Sequence, residues 1–188
     1  MRGKLWPEPV PRPLRVRYSR IQREVDRLLV QYDVKHPPVD IEKIAKDAGA
    51  VISYEEMKDE LCGFFLPGKR EFVIGVNSSH PRTRRRFTIA HELGHAILHQ
   101  FDEVHIDRSF KFRSPVSAKA VDIEEIEANT FAAWILMPER FLQSEIRNFG
   151  VDLEDTSRIQ ALSDAYQVSQ QSMSFRLLNT LSRYPFRR

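Results

Sequence analysis

The residues best placed to do chemistry lie in one run, His91-Glu92-Leu93-Gly94-His95. Histidines four apart on a helix stand one turn above each other, so both imidazoles project from one face. Two such nitrogens, each about 2.0–2.1 Å from a shared centre, are what zinc accepts in a near-tetrahedral set. Glu92 is offset round the helix from both histidines. Its carboxylate would lie beside the metal and take a proton from activated water. Gly94 allows another backbone to approach closely. The competing reading makes these polar positions on an amphipathic helix. Apolar residues flank the run on both sides, however, and a strand-rich segment precedes it.

A catalytic zinc site uses three protein ligands and keeps one position open. The later helical segment Ile123-Glu124-Glu125-Ile126-Glu127-Ala128 offers three glutamates. Glu127 is favoured by pattern, because the small residues Ala128 and Ala132 near it permit close helix approach. Glu124, one turn earlier, is a candidate to support a ligand from behind. His99 lies one turn beyond His95 and reads as a buried, hydrogen-bonding histidine; as a fourth ligand it would close the site. Cys62 could bind zinc as a thiolate, but its ordinary role is packing near the sheet. Zinc is the expected metal, and the same donors would accept manganese or cobalt.

The elements that must position these groups follow from the apolar spacing. Ser19 is placed to cap a helix carrying Ile21, Val25, Leu28 and Leu29 on one face. A short helix with Ile41, Ile44 and Ala45 comes next. Three strand candidates follow: Ala50 to Tyr54, Gly63 to Leu66 and Glu71 to Val76, with Pro67-Gly68 turning between the last two. From Pro81 the pattern is helical to about His99. Phe101 to Ala120 is irregular and polar, which suggests a lid or substrate-guiding loop. A helix then runs from Asp122 to Met137-Pro138, and three shorter helices close the chain. The class is α+β.

The 188 residues allow one domain with an appendage. The expected division is a basic, Pro-rich, flexible arm (1–17), a metal-binding domain (18–150) and a helical segment (151–188). The arm lacks the apolar centre of a signal peptide. No segment has the roughly 20 apolar residues of a membrane span, and the single cysteine excludes an internal disulfide framework. The expected location is therefore the cytoplasm. A net charge of +3 is mild, so nucleic-acid contact rests on local clusters such as Arg82, Arg84, Arg85 and Arg86.

With these residues in view, the chain resembles the ImmA/IrrE metallopeptidases. The resemblance is carried by Arg86 through His95, Leu98-His99, Ile126 through Ala133 and Leu136-Met137-Pro138. Pro38 through Ile41, Leu61 through Phe64 and Val76-Asn77 extend it upstream. It implies a minimal zincin-like fold, with a small sheet of about three strands packed on the metal helix. It also implies Glu127, the glutamate before Ala-Asn, as third zinc ligand. The activity it implies is that of a regulatory, stress-response protease cleaving a helix-turn-helix (XRE-type) repressor. Where thermolysin-like enzymes place an orienting aspartate one turn after that glutamate, this chain has Phe131. The partner that orients a histidine is thus unassigned, with Glu124, Asp122 and His99 as candidates; His105, Tyr54 and Arg86 are candidates to stabilise an oxyanion.

A rival reading comes from Leu162 to Leu178, which has the form helix, tight turn, helix. Arg176 with Gln170 and Gln171 could face DNA, making the chain a DNA- or protein-binding regulator with structural zinc. The plainer reading is a buttress, with Leu162, Val168, Met173, Leu177 and Leu178 as core.

Overall fold

Strand and helix divide this chain where the apolar period changes from two to between three and four. The computed structural model describes residues 15–68, 71–99, 105–108, 123–149 and 153–183. Its elements are α1 (Tyr18–Gln31), α2 (Ile41–Asp47), β1 (Ala50–Glu55), β2 (Leu61–Leu66), β3 (Phe72–Asn77), α3 (Arg82–Leu98), β4 (His105–Arg108), α4 (Ile123–Leu136), α5 (Glu139–Phe149), α6 (Thr156–Tyr166) and α7 (Gln170–Arg183). The fold is α+β, with helices around a small mixed sheet. Of the basic arm, residues 1–14 lie outside the described residues.

The sheet has the order β1-β3-β2-β4. β2 and β3 form the antiparallel hairpin, in a register that places Phe65 opposite Ile74. β1 joins β3 in parallel, Ile52 opposite Ile74. β4 adds a fourth strand, antiparallel to β2. It arises within the stretch expected to be irregular, because four residues, His-Ile-Asp-Arg, are too few to display an alternation. The rest of the expected lid, 101–104 and 109–120, falls outside the described residues.

α3 lies against β2 and β3 on one side and along α4 on the other. The helix expected there is present, and it is not the amphipathic one of the competing reading: every residue from Thr88 to His95 is buried, and Arg86 and Leu98 with them. Two glycines permit this packing. A Cβ on Gly63 would stand 2.3 Å from the Gly75 carbonyl oxygen and 2.7 Å from Thr88 Cγ2. One on Gly94 would meet the Phe131 ring at 3.0 Å and Ala128 Cα at 3.2 Å.

α1 packs on α4 through the face predicted for it, with Ile21, Val25, Leu28 and Leu29 buried. Its start differs from expectation. The cap position is Arg17, which makes no side-chain cap hydrogen bond, and Ser19 lies inside the first turn. Arg17 instead reaches across to α4, so a tertiary contact fixes where this helix begins.

The carboxylate of Asp155 caps α6 by accepting from the Arg158 N–H at 3.0 Å. Gln167, left-handed at φ 54°, makes the turn into α7. The helix-turn-helix outline is therefore present. Arg176, however, is only 3% exposed and donates from Nε to the Met137 carbonyl at 3.1 Å. Leu162, Val168, Met173 and Leu177 are core, while Leu178, also expected there, is half exposed.

Overpacking a filled interior costs typically about 1–3 kcal/mol. Gly63→Ala should lower stability by that order, and the melting midpoint by about 2–4 °C for each kcal/mol in a chain of this size. Circular dichroism melting checks this; an unchanged midpoint would mean that the β2–β3–α3 junction yields freely.

Candidate metal centre

His91 and His95 stand one turn apart on α3, with their ring centroids 4.6 Å apart and their Nε2 atoms 3.0 Å apart. α4 brings Glu125 to the same point. Its Oε1 lies 3.2 Å from His95 Nε2 and its Oε2 lies 3.5 Å from His91 Nε2. Among the described residues, one donor atom from each of these three side chains falls within 4.8 Å of the others. Donors about 2.0–2.1 Å from a tetrahedral zinc are separated by about 3.3 Å. The two imidazole nitrogens are 3.0 Å apart, and the Glu125 carboxylate, through its two different oxygens, comes within 3.2 Å of one and 3.5 Å of the other, close to that length. The donor set fits the ion.

Protons on the imidazoles decide whether the fit is real. Asn129, one turn after Glu125 on α4, donates from Nδ2 to the Glu125 carbonyl at 2.8 Å. A carbonyl can only accept, so the amide orientation is fixed and Oδ1 faces His91 Nδ1 at 3.2 Å. His91 must therefore carry its proton on Nδ1, which leaves the Nε2 lone pair directed at His95 and Glu125. A ligating histidine held in this way by its other nitrogen is the common arrangement at metal sites.

Glu127 lies elsewhere. Its Oε1 accepts from the Arg17 backbone N–H at 2.6 Å and from Arg17 Nε at 3.0 Å. Its Oε2 accepts from Arg17 Nη2 at 2.6 Å and from His99 Nε2 at 2.9 Å. A carboxylate has about four acceptor sites, and these donors occupy them. Burial alone would raise the Glu127 pKa; the hydrogen bonds from Arg17 and His99 outweigh it and hold the carboxyl down at about 2. Burial pushes His99 the other way, to about 4, against the opposing pull of Glu127. Glu127 is thus a carboxylate engaged with Arg17 and His99, and the third donor beside the histidine pair is Glu125.

Glu92 is fully buried on α3 between the two histidines in sequence. His99 takes the hydrogen-bonding role expected of it, with Nδ1 3.1 Å from His95 Nδ1. Arg86 is not turned toward a reacting group: Nη2 donates to the Val39 carbonyl at 2.8 Å and Nε to the Gln167 carbonyl at 3.3 Å. The phenol of Tyr54 donates to Glu42 at 2.9 Å, and burial, with this contact, pushes it up to about 12. Cys62 is a buried cysteine on β2, with Arg84 Nη2 3.3 Å from its sulfur. The side chain of His105 lies outside the described residues, as does Asp122.

Sequence reasoning favoured Glu127 over Glu125 and did not single out Asn129 or Arg17 for the site. Helical spacing held a signal for Glu125 and Asn129. Glu125, Ala128, Asn129 and Ala132 recur at three and four residues and share one face of α4. Glu127 adjoins Ala128 in sequence but points elsewhere. For Arg17 there was no local signal.

Residues 45–178 match the model of the Peptidase_M78 family, the IrrE N-terminal-like domain. An uncharacterised immunity region protein of Bacillus phage phi105 is 30% identical over 138 residues, 73% of this chain and 80% of the phage protein. The radiation response metalloprotease IrrE of Deinococcus radiodurans is 32% identical over 106 residues, 53% of this chain and 31% of that protein. A solved Mycobacterium tuberculosis transcriptional regulator superposes with a TM-score of 0.56 at 18% identity, over 88% of this chain and 48% of that one, a likeness of fold alone. The matched part is about a third of the Deinococcus protein and about half of the mycobacterial one. The matched range contains both histidines and the whole of α4, and this chain is a member of the Peptidase_M78 family.

Proposed function

We propose that this chain is a zinc-dependent endopeptidase, with His91, His95 and Glu125 holding the metal and Glu92 moving the proton. The observation that carries the reading is the convergence of two imidazole nitrogens and one carboxylate on a single point, with the proton of His91 accounted for by Asn129. Glu125 replaces Glu127 as the proposed third ligand, since the acceptor sites of Glu127 are filled by Arg17 and His99.

Zinc held there supplies Lewis acidity toward water and a peptide carbonyl. The carboxylate of Glu92 accepts the proton released by the attacking water and passes it to the leaving amine nitrogen. His91 and His95 stay neutral donors, each with its Nε2 lone pair turned to the shared centre. The substrate proposed is a protein, a helix-turn-helix repressor of XRE type. Support comes from the phage relative, named for an immunity region, and from the relative named a radiation response metalloprotease. For the rival DNA-reading role, Arg176 is the cation the sequence offers, and it is buried against Met137.

Elemental analysis of the purified chain should find one zinc per molecule. That content should collapse in His91→Ala, His95→Ala and Glu125→Ala. Zinc lost from Glu127→Ala but kept in Glu125→Ala would return the ligand role to Glu127.

Glu92→Gln keeps size and metal but removes the basic oxygen. General acid–base assistance is worth about 10²–10⁴-fold in rate, so cleavage of an XRE-type repressor substrate should slow by at least that order. Gel-resolved cleavage at the parental rate by a zinc-loaded Glu92→Gln protein would sink the peptidase reading.

A further inference from the structure

Behind His95 runs a chain of polar groups that metal coordination does not use. His95 Nδ1 lies 3.1 Å from His99 Nδ1, His99 Nε2 lies 2.9 Å from Glu127 Oε2, and Glu127 is gripped by Arg17. We propose that Arg17, Glu127 and His99 are positioning residues: a three-member relay from the start of α1 that fixes which nitrogen of His95 carries the proton and so sets the affinity of the site for its metal. The proposal rests on the metal reading above.

The argument runs from the charged end inward. The guanidinium of Arg17 has only donors, and a carboxylate has only acceptors. Nε and Nη2 of Arg17 therefore orient Glu127, and the Arg17 backbone N–H adds a third bond at 2.6 Å. The remaining acceptor site on Oε2 faces His99 Nε2, which must be the protonated nitrogen of that ring. A neutral imidazole then presents a bare lone pair at Nδ1. The nitrogen opposite, His95 Nδ1, has to donate, which leaves His95 Nε2 unprotonated and aimed at His91 and Glu125. With a metal held between His91 Nε2 and His95 Nε2, which lie 3.0 Å apart, the opposite tautomer would put two lone pairs face to face at 3.1 Å and a proton where the metal must sit.

Burial makes the relay costly to abandon. Glu127, His95 and His99 are all buried, so water has little access to replace a lost partner. Arg17 also donates from Nη2 to the Leu98 carbonyl at 3.2 Å, tying the relay to the C-terminal end of α3. The N-terminal helix thereby enters the metal site without touching the metal. Partners of this kind are worth typically about 10–100-fold in metal affinity.

Two measurements test this. The first uses zinc-loaded protein labelled with ¹⁵N at histidine, and reads each ring's tautomer from long-range proton–nitrogen correlations. His95 should be protonated at Nδ1 and His99 at Nε2; His99 protonated at Nδ1 would overturn the relay. The second is chelator competition for zinc with Arg17→Met, Glu127→Gln and His99→Phe, each with its zinc-free melting midpoint recorded. Folded variants should bind zinc about 10–100-fold more weakly than the parent but still stoichiometrically at saturation, whereas Glu125→Gln should lose far more. Parental affinity in all three folded variants would overturn the proposal. Should a variant fail to fold, the tautomer of the parent still decides. A parent chain that binds no zinc would overturn the metal reading itself, and the relay with it.

Discussion

The distance between α3 and α4 governs nearly everything polar in this molecule. A Cβ on Gly94 would already press on Ala128 and Phe131, so the two helices meet almost backbone to backbone. At that separation short side chains span the gap: Glu125 reaches both histidines and Asn129 reaches His91. A larger residue at 94 or 128 would move the helices apart, and the donor set would open with them. The spacing also closes the interface to water. Buried imidazoles and carboxylates are tolerated only when their hydrogen bonds are supplied from within, so α4 must carry partners on two faces. Glu125 and Asn129 serve one face. Glu127, one hundred degrees per residue further round, serves the other, toward α1 and His99.

That geometry explains what could be read from the chain beforehand. The HExxH run, the helical placement of both histidines, the β2–β3 hairpin and the apolar face of α1 follow from local periodicity, and the structure has them. The α4 carboxylate was less legible. Ala128 and Ala132 do mark the face that meets α3, and Glu127 stands beside Ala128 in sequence, but neighbours in sequence on a helix diverge. Following the small residues back by three and seven leads to Glu125. The resemblance to a family pointed to Glu127, the glutamate before Ala-Asn, whereas the carboxylate beside the histidine pair is that of Glu125. Arg17 lay beyond any local reading: its partner is 110 residues away, and a basic, proline-rich context suggests solvated charge. β4 was hidden for another reason, since a four-residue edge strand has too little length for a period to show.

Two further arginines show how charge is used in this interior. Arg86 and Arg176 are buried and, by residue type, suit an oxyanion or a phosphate. Each is given instead to backbone carbonyls at element ends. Arg86 takes the Val39 carbonyl just before α2 and the Gln167 carbonyl at the turn between α6 and α7. Arg176 takes the Met137 carbonyl just past the end of α4, lies 3.8 Å from Glu139, and packs over the Trp134 ring at 5.6 Å. A cation at a helix C-terminus also complements the helix dipole.

These contacts bear on the C-terminal pair of helices. A helix-turn-helix that reads DNA presents its second helix outward, with basic and amide side chains free for base edges. Here Arg176 of that helix is turned inward and holds the end of α4, while Met173 and Leu177 enter the core beside it. Arg86 does the same from α3 to the turn itself. Both metal-site helices are thus tied to the C-terminal pair by charge-assisted bonds to carbonyls, which are about twice as strong as neutral ones. The pair therefore packs as a buttress, with Arg176 on the carbonyl just past the end of α4 and Arg86 on the turn between α6 and α7.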